Sequence, residues 1–220
     1  MRNCLGVTIL TFSGTFVAVA QPIGFGVKAG VPAADFFETG TVTNPTETIR
    51  YASETRRYVI GPTAELRLPF GLAVEFDALY RPINFTTTGT ITDPVLGAIQ
   101  SNSSTTGHAW DFPLLVKLRT GSYPLVHPYI EGGPVGRYVG GFDKLVEEVI
   151  DDSTQQTRTS DVSEFRKQFY GGVTFGAGVE LRAIGLRISP EFRYTRWTSG
   201  VDGPIHFNAN QADFLLGISF

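Results

Sequence analysis

Charged side chains recur at alternate positions within short apolar stretches: Lys28, Glu65, Arg67, Glu75, Asp77, Arg81, Asp111, Lys117, Glu131, Arg137, Glu180, Arg187, Glu191, Arg193 and Asp213. Their signs nearly balance. Mixed signs on one surface predict ion pairing, whereas a selective channel calls for a ring of one sign. Other candidate chemistry is thinner. Ser199, Asp202 and His206 have the residue types of a hydrolytic triad, but no His-x-Ser pair or nucleophile elbow accompanies them, so they read as solvated loop residues. His108, His127 and His206 lack the short spacing of a zinc site. Asp143, Glu147, Glu148, Asp151 and Asp152 crowd one segment without the alternating acids and glycine of a calcium loop. No catalytic residue, metal site or cofactor is expected, and the chain reads as a non-enzyme.

The elements that must carry the charged positions are strands, because the dominant pattern has period two. Ile23, Phe25, Val27, Ala29 and Val31 share one parity, with Lys28 and glycines on the other. The same alternation marks stretches around 58–68, 72–81, 110–118, 128–138, 173–181, 186–194 and 212–220, giving eight predicted strands. Connections alternate in length. Those near 69–71, 119–126 and 182–185 are short, and those near 32–57, 82–108, 139–168 and 198–210 are long. The segment 82–108 is rich in Thr and Ser, and strand-like pieces such as Thr41-Val42 and Val149-Ile150 predict hairpins reaching beyond the main wall. Glu65-Leu66-Arg67 with Gly71-Leu72 is echoed by Glu180-Leu181-Arg182 with Gly185-Leu186.

The N-terminus has the plan of a secretory signal peptide: Arg2, an apolar run from Cys4, then Ala18-Val19-Ala20 before Gln21-Pro22. Cleavage after Ala20 is expected, dividing the chain into a signal peptide (1–20) and a barrel (21–220). The one cysteine would be removed with the leader, which excludes disulfides and thiolate metal sites from the remainder. A formal net charge of −3 argues against nucleic acid as a partner.

Alternation alone does not tell inside from outside. A soluble barrel turns its apolar parity inward, and a membrane barrel turns it to lipid. Export, the alternation of short and long connections, and aromatics near strand ends (Tyr58, Tyr80, Trp110, Tyr194, Phe220) favour the membrane. The expected architecture is all-β: an eight-stranded antiparallel transmembrane up-and-down barrel with short periplasmic turns and long extracellular loops. On this reading the charged parity lines the lumen as an ion-pair network, with Glu65 or Arg67 meeting Glu75 or Asp77 on the neighbouring strand, and Arg187 or Arg193 meeting Glu180 or Asp213. Phe214, Leu216, Ile218 and Phe220 face lipid and form a terminal barrel-assembly signal. The expected partners are outer-membrane lipid, the barrel-insertion machinery and an unspecified extracellular ligand, with the protein acting as a monomer.

Two segments are more distinctive. Trp110-Asp111-Phe112-Pro113-Leu114-Leu115-Val116-Lys117 and Pro128-Tyr129-Ile130-Glu131-Gly132-Gly133-Pro134 resemble the PorT-like family of small outer-membrane barrels, and the general plan resembles the OmpA-type barrel. The resemblance implies an eight-stranded barrel in the bacterial outer membrane and carries no catalytic residue. Pro62, Pro113 and Pro190 oppose simple ladders, because each lacks a strand donor, and so predict either bulges or strand limits other than those above. Three functions fit: a non-enzymatic barrel presenting surface loops, a narrow pore for small solutes, or a membrane-embedded lipid-modifying enzyme.

Overall fold

The computed structural model describes residues 23–34, 40–44, 47–53, 58–93, 97–120, 125–150, 153–160, 169–183, 185–198 and 208–220. The expected cleavage-site residues Ala18, Ala20 and Gln21 lie outside them. The strands are β1 (Ile23–Pro32), β2 (Gly40–Asn44), β3 (Glu47–Ser53), β4 (Val59–Arg67), β5 (Leu72–Asp77), β6 (Leu79–Asp93), β7 (Gly97–Arg119), β8 (Val126–Ile150), β9 (Ser153–Ser160), β10 (Phe169–Ala183), β11 (Leu186–Trp197) and β12 (Asn210–Ser219). All their pairings are antiparallel.

The wall closes on itself. Around the ring run β1, β4, β5 continued by the start of β6, β7, β8, β10, β11 and β12, which pairs back onto β1. This makes eight wall strands. A closed ring leaves no wall strand with an unpaired backbone edge, the condition for crossing hydrocarbon with strands. The short connections lie at one end, which is periplasmic in barrels of this plan. There Phe70 adopts φ 64 in a 3₁₀ turn over Pro69–Gly71, followed by Gly71 at φ 77.

The prolines act differently from the expected bulges. Pro62 cannot donate across to Ala78, so the strand is interrupted at that residue between β5 and β6. The register nevertheless continues: Ala64 pairs with Phe76 before the break and Ile60 with Tyr80 after it. The same holds on the other side, where Phe76 pairs with Leu114 and Leu79 with Asp111 around Pro113. Around Pro190 the β10–β11 ladder resumes from Gly178↔Glu191 to Leu181↔Ile188 without a slip. Each proline removes ladder bonds locally and leaves the alternation intact. The close approaches in these regions require missing side chains: a Cβ on Gly61 or Gly133 would collide with the carbonyl of Ala78 or Leu114. The wall does contain a register shift, between Thr106 and His108 of β7, opposite Gly141 of β8 at φ 65. An extra residue with a left-handed glycine is the geometry of a bulge that bends and twists a strand.

Above that bulge much of what the sequence presents as loop is strand. The described residues 82–93, 97–108 and 139–150 extend β6, β7 and β8 well past the wall, so that Asp143, Glu147 and Glu148 lie on β8 and pair with β7 and β9. Asp151 and Asp152 lie outside the described residues. The hairpin β2–β3 adds to β6 and β9 adds to β8. Together β2, β3, the far parts of β6, β7 and β8, and β9 form one continuous six-stranded sheet rising from one side of the barrel.

Side-chain direction is decided along every wall strand. Phe25, Val27, Val116, Ile130, Phe175 and Phe214 point outward and are more than half exposed, whereas Lys28 and Asp77 point inward at 2% and 0% exposure. A barrel with charges buried and an apolar outer surface is inverted relative to a water-soluble one and needs lipid around it. The outer surface carries an aromatic chain: Tyr58–Tyr80, Tyr80–Trp110 and Trp110–Phe112 have ring centroids 6.5, 5.3 and 6.5 Å apart, with the His108 ring 6.2 Å from Tyr80.

Candidate functional site: the lumen

The inward parity gathers its charges into three tiers. In the middle tier Arg193 of β11 bonds Glu131 at 2.7 Å, Asp77 at 2.6 Å and Glu75 at 2.7 Å, and lies 2.9 Å from Glu191. Lys28 of β1 bonds Glu75 at 2.5 Å and Glu191 at 2.9 Å. Lys117 bonds Glu75 at 2.6 Å and sits 4.3 Å from the centre of the Tyr129 ring, whose hydroxyl donates to Glu191 at 2.6 Å. All these charged groups are buried.

Towards the extracellular end, Arg81 bonds Asp213 at 3.0 Å and Asp111 at 3.3 Å. Arg137 bonds Asp111 at 2.5 Å and Gln211 at 2.9 Å, with its guanidinium 4.0 Å from the Trp197 ring centre. Thr174 and Thr195 join their hydroxyls at 2.9 Å, and Val59, Leu79 and Leu215 form a small apolar cluster. Towards the turns, Arg119 bonds both Glu65 and Glu180, while Arg67 pairs with Glu65 at 2.9 Å and Arg182 with Glu180 at 2.7 Å.

Some partners are neighbours, as Asp111 with its register partner Arg137 and Arg187 with Glu180 on the adjacent strand, and others are not. Glu65 and Glu75 are opposite in register and both acidic, so each takes its cations from elsewhere. Arg67 turns to Glu65 on its own strand. Arg193 passes its register partner Asp213 to reach Asp77 and Glu75 across the barrel, and Arg187 lies 3.9 Å from Glu180. The physical reason is width. Eight strands leave an interior that side chains fill, so a long arginine meets the far wall as readily as the near one.

Mixed charges at this density satisfy one another in a way isolated buried charges cannot. Among the described residues lie a cavity of about 10 Å³ beside Lys28, Glu65 and Glu180 and one of about 20 Å³ beside Trp197, Thr195 and Asp213, each on the scale of one water molecule. Among the described residues, one trio of carboxylates, Glu75, Glu131 and Glu191, is close enough to hold a metal ion, with oxygens within 4.8 Å of one another. The Lys28 ammonium and the Arg193 guanidinium already stand among these carboxylates. The chemistry of this donor set is that of an internal salt bridge.

Arg119, Arg182, Tyr129, Gln211 and Trp197 belong to the network, although the sequence reading omitted them. Arg119 and Arg182 continue the parity of Lys117 and Glu180 past the apparent strand ends, and Tyr129 shares the parity of Glu131. That continuation was the available signal. On the last strand Phe214, Leu216, Ile218 and Phe220 are exposed on the outer surface, with the Phe192 and Phe214 rings 5.0 Å apart. His127 lies at the turn end, opposite Glu180 in register. Ser199, Asp202 and His206 lie outside the described residues.

The family model described as "Outer membrane protein beta-barrel domain" matches residues 19–196. No curated protein matches the chain in sequence. Among solved structures, OprG of Pseudomonas aeruginosa is similar at 12% identity, with 90% of this chain and 92% of that one covered and a TM-score of 0.47. Neisserial surface protein A is similar at 10% identity, 90% and 94% coverage and a TM-score of 0.38. The attachment invasion locus protein Ail of Yersinia pestis is similar at 9% identity, 90% and 98% coverage and a TM-score of 0.29. The match over residues 19–196, joined to a closed wall with apolar side chains outward and charges inward, makes this chain a member of the outer membrane protein beta-barrel domain family and a protein of the bacterial outer membrane.

Proposed function

We propose that the protein is a non-enzymatic, non-conducting barrel whose working part is the six-stranded sheet it holds above the membrane, presented for contact at the cell surface. The observation that carries this reading is the cross-lumen ion pair between Arg193 and Asp77 at 2.6 Å, which supports a lumen that is a packed core. A plugged barrel moves solute poorly but makes a rigid pedestal. The sheet it supports is rich in Thr, Ser and Asn along β6 and β7, with Thr88 donating to Asn102 at 3.0 Å. Hydroxyl and amide groups on a rigid strand face suit hydrogen bonding to glycan or protein surfaces.

The test removes the centre of the sheet and keeps the pedestal. Thr86 and Ser104 face each other in register, so excising 87–103 and closing with a two-residue Asn-Gly turn shortens the hairpin without moving the wall. The shortened protein is expected to insert normally while cells carrying it lose adherence to immobilised glycan or protein surfaces. Unchanged adherence together with solute flux through the intact barrel would replace this reading with a pore.

A further inference from the structure

The turn end of the lumen is electrostatically unlike the other two tiers. Among the described residues its cations Arg67, Arg119, Arg182 and Arg187 surround two acidic side chains, Glu65 and Glu180. No acidic residue occurs in the connecting segments 68–71, 120–125 or 183–185. Glu180 already serves Arg119 at 2.8 Å and Arg182 at 2.7 Å, and Arg187 stands off at 3.9 Å. Arg187 Nη1 and the nearby His127 Nδ1 are buried without a hydrogen-bond partner. Arg67 also makes a long contact, 3.5 Å, to the carboxylate oxygen of Phe220, so the four guanidinium groups still outnumber the anions around them. The Arg182 side chain is 41% exposed, so the cluster is open to the periplasmic side.

Around this basic mouth the rim is apolar. Phe70 is 96% exposed at the tip of its turn, and Leu125 and Phe220 are exposed at 63% and 72%. A mouth with surplus guanidinium groups and an apolar fringe is complementary to an amphiphile with an anionic head. Guanidinium binds phosphate oxygens through paired charge-assisted hydrogen bonds, and a neighbouring acyl chain would lie against the exposed aromatic and aliphatic tips. We propose that the turn end of the barrel binds a phosphate group, and that its occupant is the headgroup of an anionic phospholipid, held by Arg182 and Arg187.

The test is native mass spectrometry of the full-length folded protein released from mixed micelles containing equal phosphatidylglycerol and phosphatidylcholine. Phosphatidylglycerol should be retained at one site per barrel, and inorganic phosphate added to the wild type should displace it. Loss of a charge-assisted contact corresponds to about a tenfold loss of binding, so the double variant Arg182→Gln/Arg187→Gln should fall by at least about tenfold. Arg196→Gln, on an exposed arginine at the far end of β11, should change nothing. Folding of each variant is read from heat-modifiable migration in electrophoresis. Equal retention of the two lipids, or phosphatidylglycerol that phosphate does not displace from the wild type, overturns the proposal without reliance on any variant. Undiminished retention in a folded double variant also overturns it. If phosphate binds, by ³¹P line broadening, but the lipid is not selected, the lipid assignment fails and a soluble anion takes its place.

Discussion

Arg193 on β11 and Asp77 on β5 stand on diametrically opposite strands of the eight, with three strands between them by either route around the wall, yet their side chains meet at 2.6 Å. The contact is a spoke across the barrel. Through its other bonds to Glu75 and Glu131, Arg193 ties β5, β8 and β11 at one point.

Loss of a hub should therefore cost more than loss of a rim charge. Glu75→Ala leaves Lys28 and Lys117 buried without their shortest partner and is expected to destabilise the barrel by about 3–5 kcal/mol. Arg187→Ala removes one 3.9 Å contact from a side chain 23% exposed and should cost less than about 1 kcal/mol. Denaturant unfolding of both variants in the same lipid checks the order; equal costs would contradict the hub.

Backbone proximity gives a second expectation. A Cβ at Gly61 has nowhere to go because the Ala78 carbonyl occupies its place, so Gly61→Ala should force the wall apart and cost about 1–3 kcal/mol. Pro62→Ala, one residue on, should be tolerated, because the register there continues with or without a donor. The same unfolding measurement separates them.

Much of the wall was legible because a two-residue period writes inside and outside directly into the chain: Lys28, Glu75 and Arg193 occupy the parity opposite Val27, Phe76 and Phe192. Inward apolar residues were hidden where both parities are apolar, as at Leu114-Leu115-Val116 and Phe214-Leu215-Leu216, in which Leu115 and Leu215 are the buried members. Cross-lumen ion-pair partners were not legible, since Arg193 and Asp77 are joined by closure of the barrel and by nothing local. The six-stranded extension was legible only in pieces, at Thr41-Val42 in β2 and Val149-Ile150 in β8, because Thr- and Ser-rich strands, polar on both faces, lack the alternation that betrays a strand. The echo of Glu65–Arg67 in Glu180–Arg182 acquires a meaning only in three dimensions, where both glutamates share Arg119.

The last strand makes a prediction about assembly. Phe220 is 72% exposed on the outer surface and its backbone N–H donates to Phe25 at 3.0 Å, completing the seam between β12 and β1. Deleting Phe220 should lower the amount of heat-modifiable protein in the outer membrane while the inserted fraction keeps near wild-type stability. Unchanged levels would remove any role of the terminal aromatic in insertion.

Export has its own measurement. Cleavage after Ala20 predicts a mature protein beginning at Gln21, read by intact-mass spectrometry of envelope material. A chain beginning at Met1 or Arg2 would contradict the leader.

The central claim is a lumen closed by its own salt bridges, and planar-bilayer recording tests it most directly. The wild-type protein, inserted as single molecules, should give no stable ohmic steps. Arg193→Ala, if it still inserts, should open intermittent conductance, because the spoke to Asp77 and the bonds to Glu75 and Glu131 are lost together. Stable conductance in the wild type, unchanged in the variant, would contradict the closed lumen.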